Sequence, residues 1–221
     1  MKLPNKVLSH SSKMDNIPSF DMLLTTCQDS CNYGKSNLCY MKNNINYYMN
    51  KKYREKLTSN TKLINTKQFY KILDKEIKKE NCLKFRYFVS GDINDLNQLI
   101  KIVYVAELNT NVLFWLPTHR FDLIKRYCDL GFKIPSNLKI RISNPIPDTK
   151  TPKFLIKEYK KYGLSWSESS LNRKRVNCKA SYNSKSCLEN NCNKCFSDKP
   201  VTYFLHGKLA KKRLKKWKLK R

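Results

Sequence analysis

Apolar and polar positions alternate along the chain in two rhythms. In residues 67–80 (KQFYKILDKEIKKE), Phe69, Ile72, Leu73 and Ile77 recur at helical spacing among charged residues, which predicts an amphipathic helix. The stretch 40–58 carries the same period more weakly, through Met41, Ile45, Tyr48 and Tyr53. The rhythm then changes. FRYFVSGDI (85–93), NVLFWLPTH (111–119) and LKIRISNPI (138–146) are short β-branched and aromatic runs that read as strands. Between them, 95–107 (DLNQLIKIVYVAE) and 121–131 (FDLIKRYCDLG) return to helical spacing. Asn94 or Asp95 fits the N-cap of the first helix, and Gly131 the stop of the second. Residues 1–40 read as irregular, 147–175 as mixed with one short helix, and the run before His206 as one more strand.

Strand, helix, strand, helix, strand with short links predicts parallel βαβ units and an α/β fold. Such units gather functional groups at the C-terminal ends of their strands. Three polar turns occupy those places: Ser90-Gly91-Asp92, Thr118-His119-Arg120 and Ser143-Asn144. Asp92, as general base or polar anchor, and His119 are the candidate catalytic residues. Ser90, Arg120, Asn144 and His206 are candidates for holding a substrate, Arg120 through an anionic group. Each turn is also ordinary turn chemistry, so it is their shared position that carries the functional reading.

Cysteine changes the picture most. The chain of 221 residues holds nine. Cys178, Cys187, Cys192 and Cys195 are spaced C-x8-C-x4-C-x2-C, close enough to surround one tetrahedral zinc or one iron–sulfur cluster. Cys27, Cys31 and Cys39 are spaced C-x3-C-x7-C and supply three thiols from one loop. Three thiolates leave a coordination position open; alternatively, the two groups share ligands. The first group departs from the C-x3-C-x2-C motif of radical S-adenosylmethionine enzymes, because its second gap is longer and Tyr40 follows the last cysteine. Cys82 and Cys128 sit alone in apolar surroundings and read as packed thiols. No apolar run is long enough to cross a bilayer, and the start has no apolar segment of a secretory signal, so a reducing cytoplasm is the expected setting.

These pieces together resemble the phage gene product 88 family. IPSFDMLLTTC leading into a Cys-rich loop, Cys39-Tyr40, Ser90-Gly91-Asp92, Thr118-His119-Arg120, the later cysteines and His206-Gly207 are similar to its segments, in order. The resemblance implies a phage, viral or mobile-element origin, hence a host cytoplasm, and a barrel-like α/β fold. The expected architecture is therefore a partial or irregular TIM-barrel-like domain over 1–206, including a Cys-rich knuckle at 178–195. The resemblance implies no reaction.

Charge adds a second candidate activity. Lys and Arg number 45 against 17 acidic residues, a formal charge of +28. This is either an electrostatic footprint for nucleic acid or lysine drift over every solvated face. In the tail, 207–221, it is concentrated: Lys211, Lys212, Arg213, Lys215, Lys216 and Lys218 surround Trp217. The tail reads as a disordered arm that lies along phosphates, with Trp217 stacking on a base or entering a lipid interface. A metalloenzyme, a nucleic-acid-binding protein with a structural zinc site and a small protein that engages a host factor are the three competing readings. Oligomeric state is open.

Overall fold

The computed structural model describes residues 6–11, 14–29, 31–183, 185–205 and 209–219. Its strands are β1 (Ser9–Ser11), β2 (Ile17–Phe20), β3 (Lys84–Tyr87), β4 (Leu113–Thr118), β5 (Leu138–Ser143), β6 (Ser165–Ser170) and β7 (Val201–Phe204). Its helices are α1 (Asn32–Lys35), α2 (Ile45–Met49), α3 (Lys51–Leu63), α4 (Phe69–Glu80), α5 (Leu96–Leu108), α6 (Phe121–Asp129), α7 (Lys153–Lys161) and α8 (Ala210–Lys218).

The strands form one sheet in chain order, β1 to β7. The β1–β2 pair is antiparallel and every later pair is parallel. The predicted βαβ units are present, with α5, α6 and α7 as the crossovers between β3, β4, β5 and β6. The sheet curls into a half-barrel. Closure into a TIM-type barrel is not seen among the described residues, where β1 and β7 stand as the two edges.

Alternation along the strands divides the sheet into two unlike faces. Phe85, Tyr87, Phe114, Leu116, Ile140 and Ile142 pack against Leu73, Ile77, Ile102, Val103 and Ile124 of the helices. Each such side chain contributes roughly 1.5–3 kcal/mol by leaving water. The opposite face is polar and aromatic. Arg86 pairs in register with Trp115, Arg141 with Ser165, and Ser169 with Tyr203. Over it lie Met14, Cys187, Cys195 and Phe196, in one cluster with Trp115 and Tyr203. A separate Cys-rich module is not seen among the described residues. The stretch folds as short 3-10 turns (Arg173–Arg175, Lys179–Ser181, Lys194–Phe196) laid on the sheet, where Cys187, Cys195 and Phe196 pack against Trp115 and Tyr203.

Local chemistry explains the boundaries. Asp95 caps α5, accepting from the Gln98 amide at 2.8 Å, and Gly131 at φ +86 follows α6. Strand β3 is shorter than its sequence run, because Phe88 at φ +57 turns the chain out of the sheet. The outer edge of β7 is covered from within: Thr202 N donates to Asn177 Oδ1 at 2.9 Å and Phe204 N to Ser181 Oγ at 2.8 Å. Residues Ala210–Lys218, expected to be disordered, form α8 with Ala210, Leu214 and Trp217 buried.

Asn137 closes the α5–β4 connection, donating from Nδ2 to the carbonyls of Ala106, Asn109 and Val112 at 2.9, 3.0 and 3.0 Å. Asn137→Ala strands these buried acceptors at a cost of about 2 kcal/mol and should lower the melting temperature by roughly 4–8 °C. An unchanged thermal transition would show that the connection is held by other groups.

Candidate functional site

The C-terminal ends of β2 and β3 are locked together by short polar groups. Asp21, buried just after β2, accepts from Val89 N at 2.7 Å and from the Ser19 hydroxyl at 3.0 Å. The Ser90 hydroxyl donates to Met22 O at 2.6 Å, and Met22 N donates to Ser90 O at 3.0 Å. Next comes Gly91 at φ +84, where a Cβ would lie 2.7 Å from Thr26 Oγ1 and 2.8 Å from Met22 Cβ. Only glycine fits both the conformation and the space. Asp92 N then donates to Thr26 Oγ1 at 3.0 Å, and the Gly91 amide reaches the Cys27 sulfur. The Ser-Gly-Asp turn is thus a dock for the segment that carries the first cysteine.

Asp92 extends this lock to β4. Its Oδ1 accepts from Thr118 Oγ1 at 2.6 Å and from Ile93 N at 2.8 Å, while Oδ2 accepts from His119 N at 2.8 Å. Burial pushes its carboxyl pKa up, and these donors oppose that shift. The His119 ring stands against Tyr33, 5.5 Å between centroids, and bonds the Ser143 backbone. Burial lowers its pKa, so the ring is neutral at pH 7. Asp92 and His119, paired from sequence, are neighbours here.

The other strand-end residues serve the scaffold. Arg120 grips Asp122 through Nε at 2.9 Å and Nη2 at 2.7 Å, and its Nη1 donates to Ile93 O and Asn94 O. Asn144 donates to Thr149 O at 3.0 Å inside its own turn. Ser90 is occupied by Met22. At these three positions the candidate substrate-holding side chains make hydrogen bonds within the fold. His206 lies outside the described residues.

The cysteine loop runs from this dock across the ends of the strands. Asn32 donates to Pro145 O, after β5, at 2.9 Å, and Tyr33 Oη meets Ser169 Oγ of β6 at 2.7 Å. Cys27, Cys31 and Cys39 lie within electrostatic reach of one another, and Cys27 and Cys31 within reach of Asp92. Burial, then the charges of Asp92, Cys31 and Cys39, push the Cys27 thiol up to about 12, and burial also raises Cys31. Both thiols are neutral unless a cation displaces the proton. Tyr33, Asn32 and Asp21 were not singled out from sequence. An aromatic residue between two cysteines and an acid directly after a strand were the available signals.

The profile of the gene product 88 family matches residues 3–197. The chain belongs to the gene product 88 family. No curated protein and no solved structure matches it significantly. The match spans both cysteine groups and the Asp92–His119 pair, and ends before β7 and the basic helix.

In this gene product 88 protein the second cysteine group sits elsewhere. Cys178, Cys187, Cys192 and Cys195 line a cavity of about 450 Å³ with Ile17 and Lys84, the first residues of β2 and β3. Sharing of ligands between the groups does not fit this placement, since one group lies at strand starts and the other at strand ends. Among the described residues, no set of three or more His, Cys, Asp or Glu is gathered tightly enough to hold an ion. The basic tail is corrected in one respect. Trp217 is buried in the docked face of α8 and cannot offer a free stacking ring, whereas Lys211, Lys212, Lys215, Lys216 and Lys218 are exposed. Arg213 turns inward to the Asn37 carbonyl of the cysteine loop, at 3.2 Å.

Gly91→Ala forces a side chain into the Thr26–Met22 contact at a positive φ. It should cost about 2–4 kcal/mol in denaturant unfolding. Wild-type stability of that variant would disprove the close docking.

Proposed function

We propose that this family member is a metalloprotein with an iron–sulfur centre on Cys27, Cys31 and Cys39, at the strand-end face of a partial TIM-type barrel. The observation that carries the reading is the docking of the three-cysteine loop onto the Gly91-Asp92 turn beside His119. Three thiolates leave one ligand position open to water or substrate, the arrangement of a centre that does chemistry rather than one that only braces a fold. Loading requires the loop to tighten, since its thiols are near one another but not at coordination distance. Asp92 and His119 supply the neighbouring polar groups. The neutral imidazole, its one N–H given to the Ser143 backbone, is oriented to take a proton at its other nitrogen. Asp92 positions it by holding the His119 amide.

Protein expressed with iron and purified without oxygen should contain iron and sulfide and absorb in the visible. Cys27→Ser, Cys31→Ser and Cys39→Ser should each lose most of that absorption. A colourless, iron-free wild type under these conditions rejects the proposal.

The exposed lysine row on α8 favours a second activity, contact with nucleic-acid phosphates, compatible with the first. Changing Lys211, Lys212, Lys215 and Lys216 together to Gln should weaken salt-sensitive binding of single-stranded DNA and shrink the slope of log K against log salt by roughly 3. Binding that is absent in the wild type, or unchanged in the variant, removes this reading.

A further inference from the structure

The inner face of the half-barrel carries two arginines that meet no carboxylate, one fully buried and one half-buried. Arg141 is 0 % exposed. Its Nη1 donates to the carbonyls of Trp166 and Lys199 and its Nη2 to those of Lys194 and Ser197, at 2.8–2.9 Å, while its Nε has no partner. Arg86 lies 4.6 Å over the Trp115 ring and bonds Met14 Sδ and Phe88 O, and its Nε is likewise buried without a partner. Among the described residues, the arginine ion pairs are instead Arg120–Asp122 and Arg175–Glu168. Each buried cation costs several kcal/mol unless negative charge lies close by. Carbonyl dipoles offset part of that cost. The ionisable group on which both guanidiniums act is the Cys195 thiol.

Cys195 belongs to the four-cysteine cavity. Cys178, Cys187 and Cys192 line it too, and the four thiols interact electrostatically. One hydrogen-bond donor that suits thiolate sulfur is already present: Tyr203 Oη is 3.5 Å from Cys195 Sγ. As neutral thiols, these cysteines leave the arginine charges unbalanced.

We propose that Cys178, Cys187, Cys192 and Cys195 bind one zinc ion as a four-thiolate centre, and that Arg86 and Arg141 are kept in the interior to balance its charge. Four thiol protons leave as one divalent cation enters, so the centre carries a net charge of −2 against two guanidiniums. The sulfurs are not yet at coordination distance, so binding draws the four thiols together around the ion. The role is structural, pinning the β6–β7 connection against the starts of β2 and β3. The proposal is independent of the iron–sulfur reading, which uses other cysteines at the opposite ends of the strands.

The test is a cobalt(II) titration of the full chain carrying Cys27→Ser, Cys31→Ser and Cys39→Ser, followed by thiolate-to-cobalt charge-transfer and tetrahedral d–d absorption. One equivalent should bind and be displaced by zinc, and a further Cys192→Ser change should abolish it. Arg86→Gln should weaken cobalt binding at least tenfold, whereas Arg86→Lys retains it. Circular dichroism confirms folding of each variant. Absence of tetrahedral cobalt absorption in the folded triple variant, iron and sulfide copurifying with it, or unchanged affinity in Arg86→Gln would overturn the proposal.

Discussion

The contact between Gly91 and the Met22–Thr26 segment sets the geometry of the strand-end face. It lets two chain segments lie closer than any side chain permits. Around it, two buried carboxylates are neutralised by hydrogen bonds instead of by cations. Asp21 takes an amide and a hydroxyl, and Asp92 two amides and a hydroxyl. Charge-assisted bonds of this kind are stronger than neutral ones and stiffen the turns that donate them. The cysteine loop inherits its position from that rigidity, as does His119, whose amide is one of the donors.

Much of the fold was legible wherever side chains carry their own preference. The β-branched and aromatic runs at Phe85, Phe114 and Ile140 mark strands that are buried on the helical face, and Asp95 and Gly131 mark helix ends. Strand β6 was not legible. Its sequence, SWSESS, has low strand preference and forms only because it adds to an existing sheet, where Ser165, Ser167, Ser169 and Ser170 are buried. The α8 helix was missed for a related reason: repulsion among its lysines argues for disorder until Leu214 and Trp217 find an apolar seat. At the candidate site, the types and positions of Cys27, Cys31, Asp92 and His119 could be read. The roles of Asn32 and Tyr33 could not, because their partners are Pro145 and Ser169, more than a hundred residues away.

Net charge conceals an internal polarity. The chain is strongly cationic, yet the ends of β2 and β3 bury two acids, and the inner face of β3 and β5 holds one half-buried and one fully buried base. In the alternating run LKIRIS, Arg141 reads as a solvent-facing position. The half-barrel instead turns that face inward and covers it with the cysteine-bearing connection. Alternation distinguishes the faces of a strand but does not reveal which face a later segment will cover.

That same connection also decides how the sheet ends. An open parallel sheet normally exposes amides that can recruit a strand from another molecule. Here Asn177 and Ser181 already occupy the donors of Thr202 and Phe204, and Asn177 N and Cys178 N fill the Thr202 carbonyl. The closing edge of an incomplete barrel is thus blunted from within: both outward amides of its last strand and the Thr202 carbonyl are met by the chain that precedes it, which leaves a second copy little to zip onto.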